Sequence, residues 1–246
     1  MKEPDQESAG QNRLVRIRVG SVDDDSNIRS GAVTLDGDLT IPTGAVGIVL
    51  FAHGSGSSRH SPRNQFVARA IREAGIATLL FDLLTQEEEG EDDVTGRWRF
   101  DIGLLAGRLV EASKWITNQP DTQKLGIGYF GASTGGAAAL VAAAEIGPTI
   151  GAVVSRGGRP DLAGAAMEDV KSPVLLIVGE RDETVLELNR SAYARLRCEK
   201  ELAVIPRATH LFEEPGALEE VARLAADWFR RHLSARRNRW EGHDLF

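Results

Sequence analysis

Cysteine is almost absent from this chain of 246 residues, since Cys198 is the single one. An intrachain disulfide is therefore excluded, and a chain of this length buries enough core to fold without one. No apolar run approaches the roughly 20 residues that a membrane-spanning helix needs. The polar start MKEPDQESAGQNR contains no apolar segment of the kind found in secretory signals. These absences favour a soluble protein of the cytoplasm.

Positive charge is not in excess either. The net charge is -7 and the sequence pI is about 5.4. An acidic chain argues against nucleic acid as a main partner. We expect no nucleic-acid partner, no membrane partner, no cofactor and no metal site, and the composition does not distinguish a monomer from a homodimer.

The pattern of apolar residues indicates the fold class. From about residue 47 onward, apolar β-branched runs alternate with amphipathic runs. Strands that alternate with helices predict an α/β fold, with a mostly parallel central sheet and helices on both of its faces. Ahead of them, AVTLDGDLTIP at residues 32–42 is typical of two short strands hinged at Asp36-Gly37, which predicts an N-terminal antiparallel hairpin.

Charge and polarity suggest the limits of the domain. We expect a disordered tail over residues 1–12, a single domain over 13–234 and a basic C-terminal tail over 235–246. The acidic run QEEEGEDD at residues 86–93 predicts a solvated loop. The surrounding stretch at about 83–99 is the one plausible lid.

The motif GASTG at residues 131–135 lies where a strand-like run meets an alanine-rich, helix-like run. A G-x-S-x-G turn strains the backbone of its serine and projects the hydroxyl above the sheet. Side chains at Gly131 and Gly135 would collide with neighbouring backbone. An ordinary turn is the alternative, because glycine and serine are common in turns. The strand and helix that the motif requires are both predicted, so we interpret Ser133 as a nucleophile.

A serine hydroxyl needs a base that is itself oriented by an acid. Among the five histidines, His210 follows the last strand, where the order serine, acid, histidine places the base. Asp182 follows the strand PVLLIV, and Glu180 and Glu183 are the alternative acids. Asp182 is also suited to cap the helix that begins at Glu183. The alternative interpretation of His210 is that it is an ordinary surface histidine in a loop.

Acyl transfer also needs hydrogen-bond donors for the developing oxyanion. One expected donor is the backbone N–H of Thr134, the residue after the proposed nucleophile. The other should come from the loop FAHGSGSSRHS, with the Ser55 N–H as first choice and the Gly56 N–H as second. This loop matches neither the Walker pattern nor the dinucleotide pattern, so it is not interpreted as a phosphate loop.

Four segments in this order, HGSG, GASTG, GERDETV and ATHLFEEPG, resemble the α/β-hydrolase superfamily. Within the superfamily, the chain is similar to the dienelactone-hydrolase-like branch over residues 33–233. Dienelactone hydrolases proper use a cysteine nucleophile, whereas this chain has Ser133. The resemblance therefore implies a serine esterase rather than an enzyme for a dienelactone.

Similar domains also occur fused to phosphoribosyltransferases. The stretch SVDDDSNIRSG at residues 21–31 carries acidic residues but lacks the Thr/Gly phosphate loop that should follow them. We therefore reject a transferase function for this chain.

The leading hypothesis is a serine hydrolase that cleaves a small carboxylic ester, lactone or thioester through an acyl-enzyme. The alternative is a hydrolase-fold protein that binds a ligand or partner with little turnover, because a fold does not fix a function. A peptidase is less favoured, since such enzymes usually have a cap or propeller domain and this chain has no room for one.

Basic side chains near two strand ends suggest a substrate feature. Arg59 and His60 follow the proposed oxyanion loop, and Arg156 and Arg159 follow the strand after the GASTG helix. Guanidinium groups clamp carboxylates with paired hydrogen bonds, so these residues predict a small acyl substrate with an anionic group. The alternative is that these arginines are solvated or pair with local acids such as Asp161.

Overall fold

A computed structural model describes residues 10–20 and 32–240, and its strands form one sheet. The strands are β1 (Gln11–Val19), β2 (Val33–Ile41), β3 (Gly47–Ala52), β4 (Ala77–Phe81), β5 (Gly126–Ala132), β6 (Ile150–Arg156), β7 (Val174–Gly179) and β8 (Lys200–Ile205). The helices are α1 (Pro62–Glu73), α2 (Gln86–Thr95), α3 (Ile102–Thr117), α4 (Thr134–Ile146), α5 (Glu183–Arg195) and α6 (Ala217–Trp240). Short 3₁₀ segments cover Gly147–Thr149 and Pro160–Asp169.

The strand order across the sheet is β1-β2-β4-β3-β5-β6-β7-β8. β1 pairs antiparallel with β2, and β2 pairs antiparallel with β4, while every pairing from β4 to β8 is parallel. The predicted α/β class and its mostly parallel sheet are thereby confirmed. The chain leaves β3 toward β4 on one side and returns to β5 on the other. Strand order therefore reverses between β3 and β5, which is where ligands gather in open α/β sheets.

Helices cover both faces of the sheet, which explains why the central strands are continuously apolar. In β3, Ile48 and Leu50 pack in the core on the side of α3 and α4. Val49 and Phe51 pack in the core on the side of α1 and α6. All six residues of this strand are buried, so the loop that follows β3 has a rigid base.

The predicted turn at Asp36-Gly37 is wrong, because both residues lie inside the continuous strand β2. Asp36 pairs with Arg16 of β1, and Gly37 pairs on its other side with Phe81 of β4. A methyl group on Gly37 would lie 3.1 Å from Phe81 Cβ, so this glycine provides space rather than a turn. The antiparallel pair predicted near the N-terminus is present, but it joins β1 to β2.

The acidic run at residues 86–93 is not a loop but the first part of helix α2, so the prediction there is wrong. Thr85 and Glu88 form a reciprocal capping box at its start, and Gly96 ends it in the left-handed conformation. The capping-box spacing is visible in TQEE of the sequence and outweighs the repulsion between acidic neighbours. Glu88 is also buried against Arg108 of α3, a contact that a local pattern does not reveal.

The expected tails overlap regular structure. Strand β1 begins at Gln11, inside the expected disordered segment, and α6 runs on to Trp240, inside the expected basic tail. Residues 1–9 and 241–246 lie outside the described residues, as does the stretch SVDDDSNIRSG at 21–31. No helix in the described part of the chain is both long and apolar enough to span a membrane.

Candidate active site

Ser133 lies at the carboxyl end of β5, beside the loop that follows β3. The pairing of Ala52 with Gly131 places the ends of these two strands side by side. Ser133 has φ 52° and ψ -120°, and its hydroxyl makes no capping hydrogen bond to α4. A positive φ in a residue other than glycine costs roughly 1–3 kcal/mol and is found mainly at functional sites. The strained turn expected for GASTG is therefore present.

Two glycines make this turn sterically possible. A methyl group on Gly131 would lie 2.3 Å from the carbonyl oxygen of Gly135. One on Gly135 would lie 2.1 Å from the carbonyl oxygen of Ala52. Both distances are far below contact distance and involve backbone, which cannot move aside cheaply. The glycines thus allow α4 to start directly against β3 and β5.

His210 and Asp182 are 28 positions apart in sequence but in contact in the fold. His210 Nδ1 lies 2.6 Å from Asp182 Oδ2. An ionised carboxylate only accepts hydrogen bonds, so Nδ1 carries the proton and Nε2 is left as an acceptor. The Asp182 side chain is 15% exposed and that of His210 is 40% exposed, so the acid is shielded while the imidazole reaches solvent.

The neighbouring acids have other partners or positions. Glu180 Oε2 accepts a hydrogen bond of 2.7 Å from the Arg207 N–H. Glu183 is exposed in the first turn of α5. Asp182 does occupy the N-cap position of α5, but its side chain makes no capping hydrogen bond. Among the three candidate acids, the His210 contact is made by Asp182.

The end of β6 and the loop after it contact both Ser133 and His210. The Ser133 N–H donates to the Arg156 carbonyl oxygen at 3.2 Å, and the Arg159 N–H donates to the Ser133 carbonyl oxygen at 3.1 Å. A methyl group on Gly157 would lie 3.4 Å from His210 Nδ1. Gly157 has φ 51°, which lets the chain turn between these contacts. This loop therefore brings the serine backbone and the imidazole to the same corner of the sheet.

The candidate oxyanion donors lie beside Ser133. A methyl group on Gly54 would be 3.0 Å from Ser133 Cβ, so the loop after β3 passes directly over the serine. The Ser55 N–H donates to Thr134 Oγ1 at 3.1 Å, and the Ser55 hydroxyl lies 3.1 Å from the same oxygen. Thr134 begins α4, where backbone N–H groups lack partners within the helix. Gly56 is exposed, with φ 64°.

His53 is a buried support for this loop that we did not single out from the sequence. Its Nε2 accepts a hydrogen bond of 2.9 Å from the Leu83 N–H, so its Nδ1 carries the proton and donates to the Gly54 carbonyl oxygen at 3.1 Å. Burial lowers the pKa of His53, and the Gly54 hydrogen bond and the Asp82 charge offset this only in part. The neutral imidazole therefore links the glycine loop, which is the loop after β3 (residues 53–61), to Leu83 in the segment after β4.

We expect acid to weaken the fold through His53. Its pKa is lower in the folded state than in the unfolded chain, so below the ordinary value of about 6.5 the unfolded chain binds more protons. The contribution is fully present above that pH and is lost as the pH falls below it. The free energy of unfolding should fall by up to about 1.4 kcal/mol per pH unit for this one group. Urea unfolding at about pH 7.5, 6.5 and 5.5 measures the slope.

The variant His53→Asn should give a shallower slope than the parent over this range. Burial also lowers the pKa of His232, so this histidine contributes to the pH dependence of stability as well. The second variant, His232→Gln, removes the contribution of His232 to the slope. An unchanged slope in His53→Asn would show that His53 is not the group responsible.

A cavity of about 250 Å³ opens beside the glycine loop and under α2. Its lining includes His53, Ser55, Leu83, Glu89, Asp92 and Thr134. Burial raises the pKa of Glu89, and the nearby Asp82 and Asp93 raise it further. Three acids of α2 thus face or border this cavity, and the stretch considered as a lid forms one wall of it.

Buried ion pairs anchor α2 in this position. Both Glu88 oxygens accept hydrogen bonds from the Arg108 guanidinium of α3, at 2.6 and 2.7 Å. Asp92 accepts from the backbone N–H groups of Trp98 and Arg99 and from Arg99 Nε. Paired and hydrogen-bonded carboxylates of this kind are costly to disrupt, because one partner would be left buried and uncompensated. Helix α2, which forms one wall of the cavity, is therefore held in place by these contacts.

The four basic residues predicted to bind substrate have different surroundings. The Arg59 guanidinium is paired with Asp82 and lies 3.7 Å from Asp38. Arg159 donates two hydrogen bonds to Asp161, at 2.8 and 2.7 Å. His60 is exposed. For Arg59 and Arg159, pairing with local acids, the alternative considered from the sequence, is thus observed.

Arg156 differs from the other three. It is 8% exposed, and its Nη1 has no hydrogen-bond partner among the described residues. Burial, together with the like charge of Arg63, lowers the pKa of Arg156 to about 10. A buried guanidinium without a carboxylate partner is unusual in proteins.

The sheet order and the strained serine turn after β5 define an α/β-hydrolase fold. The chain belongs to the dienelactone hydrolase family, whose model matches residues 35–237. The resemblance to this branch is thereby confirmed. Family and fold together support a hydrolase of the esterase or lactonase type.

Three known proteins illustrate this relationship. A dienelactone hydrolase from Anabaena variabilis, known from a crystal structure, has 59% sequence identity to this chain. The two structures match with a TM-score of 0.85 over 91% of this chain and 99% of that one. A Mycobacterium tuberculosis protein with the provisional name phosphoribosyl transferase is 57% identical over 211 residues, which are 86% of this chain and 47% of that protein. This chain thus spans about half the length of the curated relatives it matches. Est1E from Butyrivibrio proteoclasticus shares the fold. Its sequence identity to this chain is 16%, and its structure matches with a TM-score of 0.70 over 90% of this chain and 99% of that one.

Proposed function

We propose that this protein is a serine hydrolase that cleaves a small carboxylic ester, lactone or thioester, with Ser133 as nucleophile, His210 as base and Asp182 as the orienting acid. The observation that carries the proposal is the 2.6 Å contact between His210 Nδ1 and Asp182 Oδ2, at the edge of the sheet that bears a strained serine. The serine, the acid and the histidine follow α/β-hydrolase order along the chain.

In the proposed reaction, Ser133 Oγ attacks the acyl carbon while His210 Nε2 takes the hydroxyl proton. The carbonyl double bond becomes a C–O⁻ single bond, and Asp182 stabilises the imidazolium that forms. His210 then gives its proton to the leaving oxygen or sulfur as that bond breaks. Water hydrolyses the acyl-enzyme by the same steps, with His210 as base for the water. The chain's own residues carry each proton transfer, so the cycle returns Ser133 and His210 to their starting states.

The oxyanion would be stabilised by backbone N–H groups at Thr134 and Ser55, with Gly56 as the second choice in the loop. The Ser55 N–H now donates to Thr134 Oγ1, so a bound oxyanion would take the place of that hydroxyl oxygen as acceptor. Donors aimed in advance at the developing charge are worth about 2.7–4 kcal/mol each in related chemistry.

A fluorophosphonate probe tests the proposal. Attack of Ser133 Oγ on phosphorus releases fluoride, and the serine proton passes to His210, so one mole of probe should be bound per mole of chain. Mass spectrometry should place the adduct on Ser133. Absence of labelling in a folded protein would instead support the second candidate, a binding protein with little turnover. That candidate remains because a hydrolase fold does not by itself require catalysis.

The activity in the name of the Mycobacterium tuberculosis relative is not proposed for this chain. About half of that relative lies outside the match, so its name describes a longer protein. The acidic stretch at residues 21–31 of this chain also lacks the phosphate loop that a transferase needs.

For the substrate, we propose an acyl compound with an anionic group. Arg156 supports this part of the proposal, because its buried Nη1 has no hydrogen-bond partner in the part of the chain that the structure describes. Arg59 and Arg159 give the anionic-substrate proposal less support, because their guanidinium groups are already paired with Asp82 and Asp161. In Arg156→Met, kcat/KM for a carboxylate-bearing ester should fall at least about tenfold more than for the matched neutral ester, since a hydrogen bond between charged groups contributes roughly 1.5–3 kcal/mol.

Steady-state kinetics with the two esters measures this ratio. Arg159→Ala, three residues further along the chain, is the matched control, because its guanidinium is already held by Asp161. An unchanged ratio in Arg156→Met would remove the basis for an anionic substrate.

A further inference from the structure

Asn189 is a fully buried residue on α5 whose side-chain amide hydrogen-bonds none of the three residues assigned to the reaction. Its exposed fraction is 0%. Its Nδ2 group donates to the Gly158 carbonyl oxygen at 3.0 Å and to the Val185 carbonyl oxygen at 2.8 Å. The second contact lies within α5, whereas the first reaches the loop after β6.

The contact with Gly158 continues directly to the serine. The Gly158 carbonyl and the Arg159 N–H belong to one planar peptide group. That Arg159 N–H donates to the Ser133 carbonyl oxygen at 3.1 Å. A hydrogen bond on one side of a peptide group polarises it and strengthens the bond on its other side. Asn189 is thus joined to the nucleophile backbone through a single peptide.

The same loop contacts the other members of the site. The Arg156 carbonyl accepts the Ser133 N–H, and Gly157 lies against the His210 ring. Helix α5 itself begins just after Asp182. Through Gly158, Asn189 therefore ties the helix that follows the acid to the loop that holds the serine and faces the base.

Packing alone does not account for an asparagine here. Among the described residues, the Asn189 Oδ1 atom has no hydrogen-bond partner although it is buried. A buried polar group that is only half satisfied costs free energy, and leucine would fill a similar space without that cost. What asparagine adds is a donor to two carbonyl oxygens, of which that of Gly158 lies outside α5.

We propose that Asn189 is a positioning residue that holds the Gly158–Arg159 peptide and, through it, keeps Ser133 in its strained conformation. This inference rests on the proposed function of Ser133. Without the Asn189 donor, the Gly158–Arg159 peptide loses its hydrogen bond to α5 and keeps its Arg159 N–H bond to Ser133, so the peptide and the serine can shift together away from the attack geometry. Misplacement of a reacting group by about 1 Å costs on the order of 100-fold in rate.

The test compares Asn189→Leu with the parent in fluorophosphonate labelling and in ester hydrolysis. We expect the labelling rate and kcat to fall together by between about 10- and 100-fold, with KM within about twofold. Asn189→Ala is the second variant. The matched control is Ser113→Ala, which removes buried hydrogen bonds of 2.8 Å to Leu109 and 2.6 Å to Tyr129, neither of which involves a residue assigned to the site. It should lower Tm but leave both rates within about twofold.

The outcomes separate the two proposals. A parent that is not labelled at Ser133 contradicts the proposed function. A labelled parent together with a folded Asn189→Leu of unchanged reactivity contradicts the positioning role alone. A variant whose rates fall only as much as those of an equally destabilised Ser113→Ala would also overturn it, because the effect would then be structural.

Amide exchange in the parent covers the case in which neither Asn189 variant folds. The positioning role requires the Arg159 N–H to be held by Ser133, so that amide should exchange much more slowly than in an unstructured chain. Exchange at the unstructured rate would contradict the inference.

Discussion

Ser133→Ala should lose nearly all ester hydrolysis while the fold stays intact. The change removes the proposed attacking oxygen, and loss of the nucleophile in another serine hydrolase costs about 10⁶-fold in kcat. The Ser133 hydroxyl caps no helix, and alanine fits the same space. The free energy of unfolding should therefore change by less than about 1 kcal/mol. Hydrolysis of an activated ester and urea unfolding measure the two quantities.

Ser191→Ala is the matched control, a serine-to-alanine change at an exposed position of α5. It should keep both activity and stability. If Ser133→Ala retains activity within a few-fold of the parent, Ser133 is not the nucleophile, and the proposed function is wrong.

Asp182→Asn should lower kcat by about 10⁴-fold, the effect found for the acid of another catalytic triad. The asparagine amide can donate to His210 Nδ1, which moves the proton of the neutral imidazole to Nε2. An Nε2 that carries a proton cannot accept one from Ser133. The helix should not suffer, because the Asp182 side chain makes no capping hydrogen bond in α5.

Glu180→Gln and Glu183→Gln are the controls for this prediction. Glu180 accepts a hydrogen bond from the Arg207 N–H, and Glu183 is exposed, so each change should alter kcat only a few-fold. A mild effect at Asp182 together with a large one at either glutamate would reassign the acid.

Much of the fold could be predicted because local patterns encode it. Continuous apolar strands such as β3 and β7 are recognisable from composition, and glycine and proline mark several helix ends. The failures occurred where a tertiary contact competes with a local preference. Asp36-Gly37 resembles a turn, but β1 and β4 pair with β2 on both sides and keep it extended. The acidic run at 86–93 resembles a loop, but Arg108 compensates the buried Glu88.

The candidate site also has features that the sequence predicted and features that only the fold shows. The motif GASTG implied the strained turn, because the glycines on either side of Ser133 are a local requirement of that backbone. The sequence favoured Asp182 as the acid and kept Glu180 and Glu183 as alternatives, and the fold shows that Asp182 contacts His210 across 28 positions. The sequence also did not indicate Asn189, which resembles any polar residue of an amphipathic helix.

The sequence by itself thus determined the alternation of strands and helices from β3 onward apart from α2, the serine turn and the family of this protein. The tertiary structure alone decided which charged groups are paired. Arg59 and Arg159 are held by acids, whereas Arg156 is buried and its Nη1 has no hydrogen-bond partner within residues 10–20 and 32–240. The physical reason is one of range. Backbone preferences act over a few neighbouring residues, whereas hydrogen bonds and ion pairs depend on distances of about 3 Å between segments that only the folded sheet brings together.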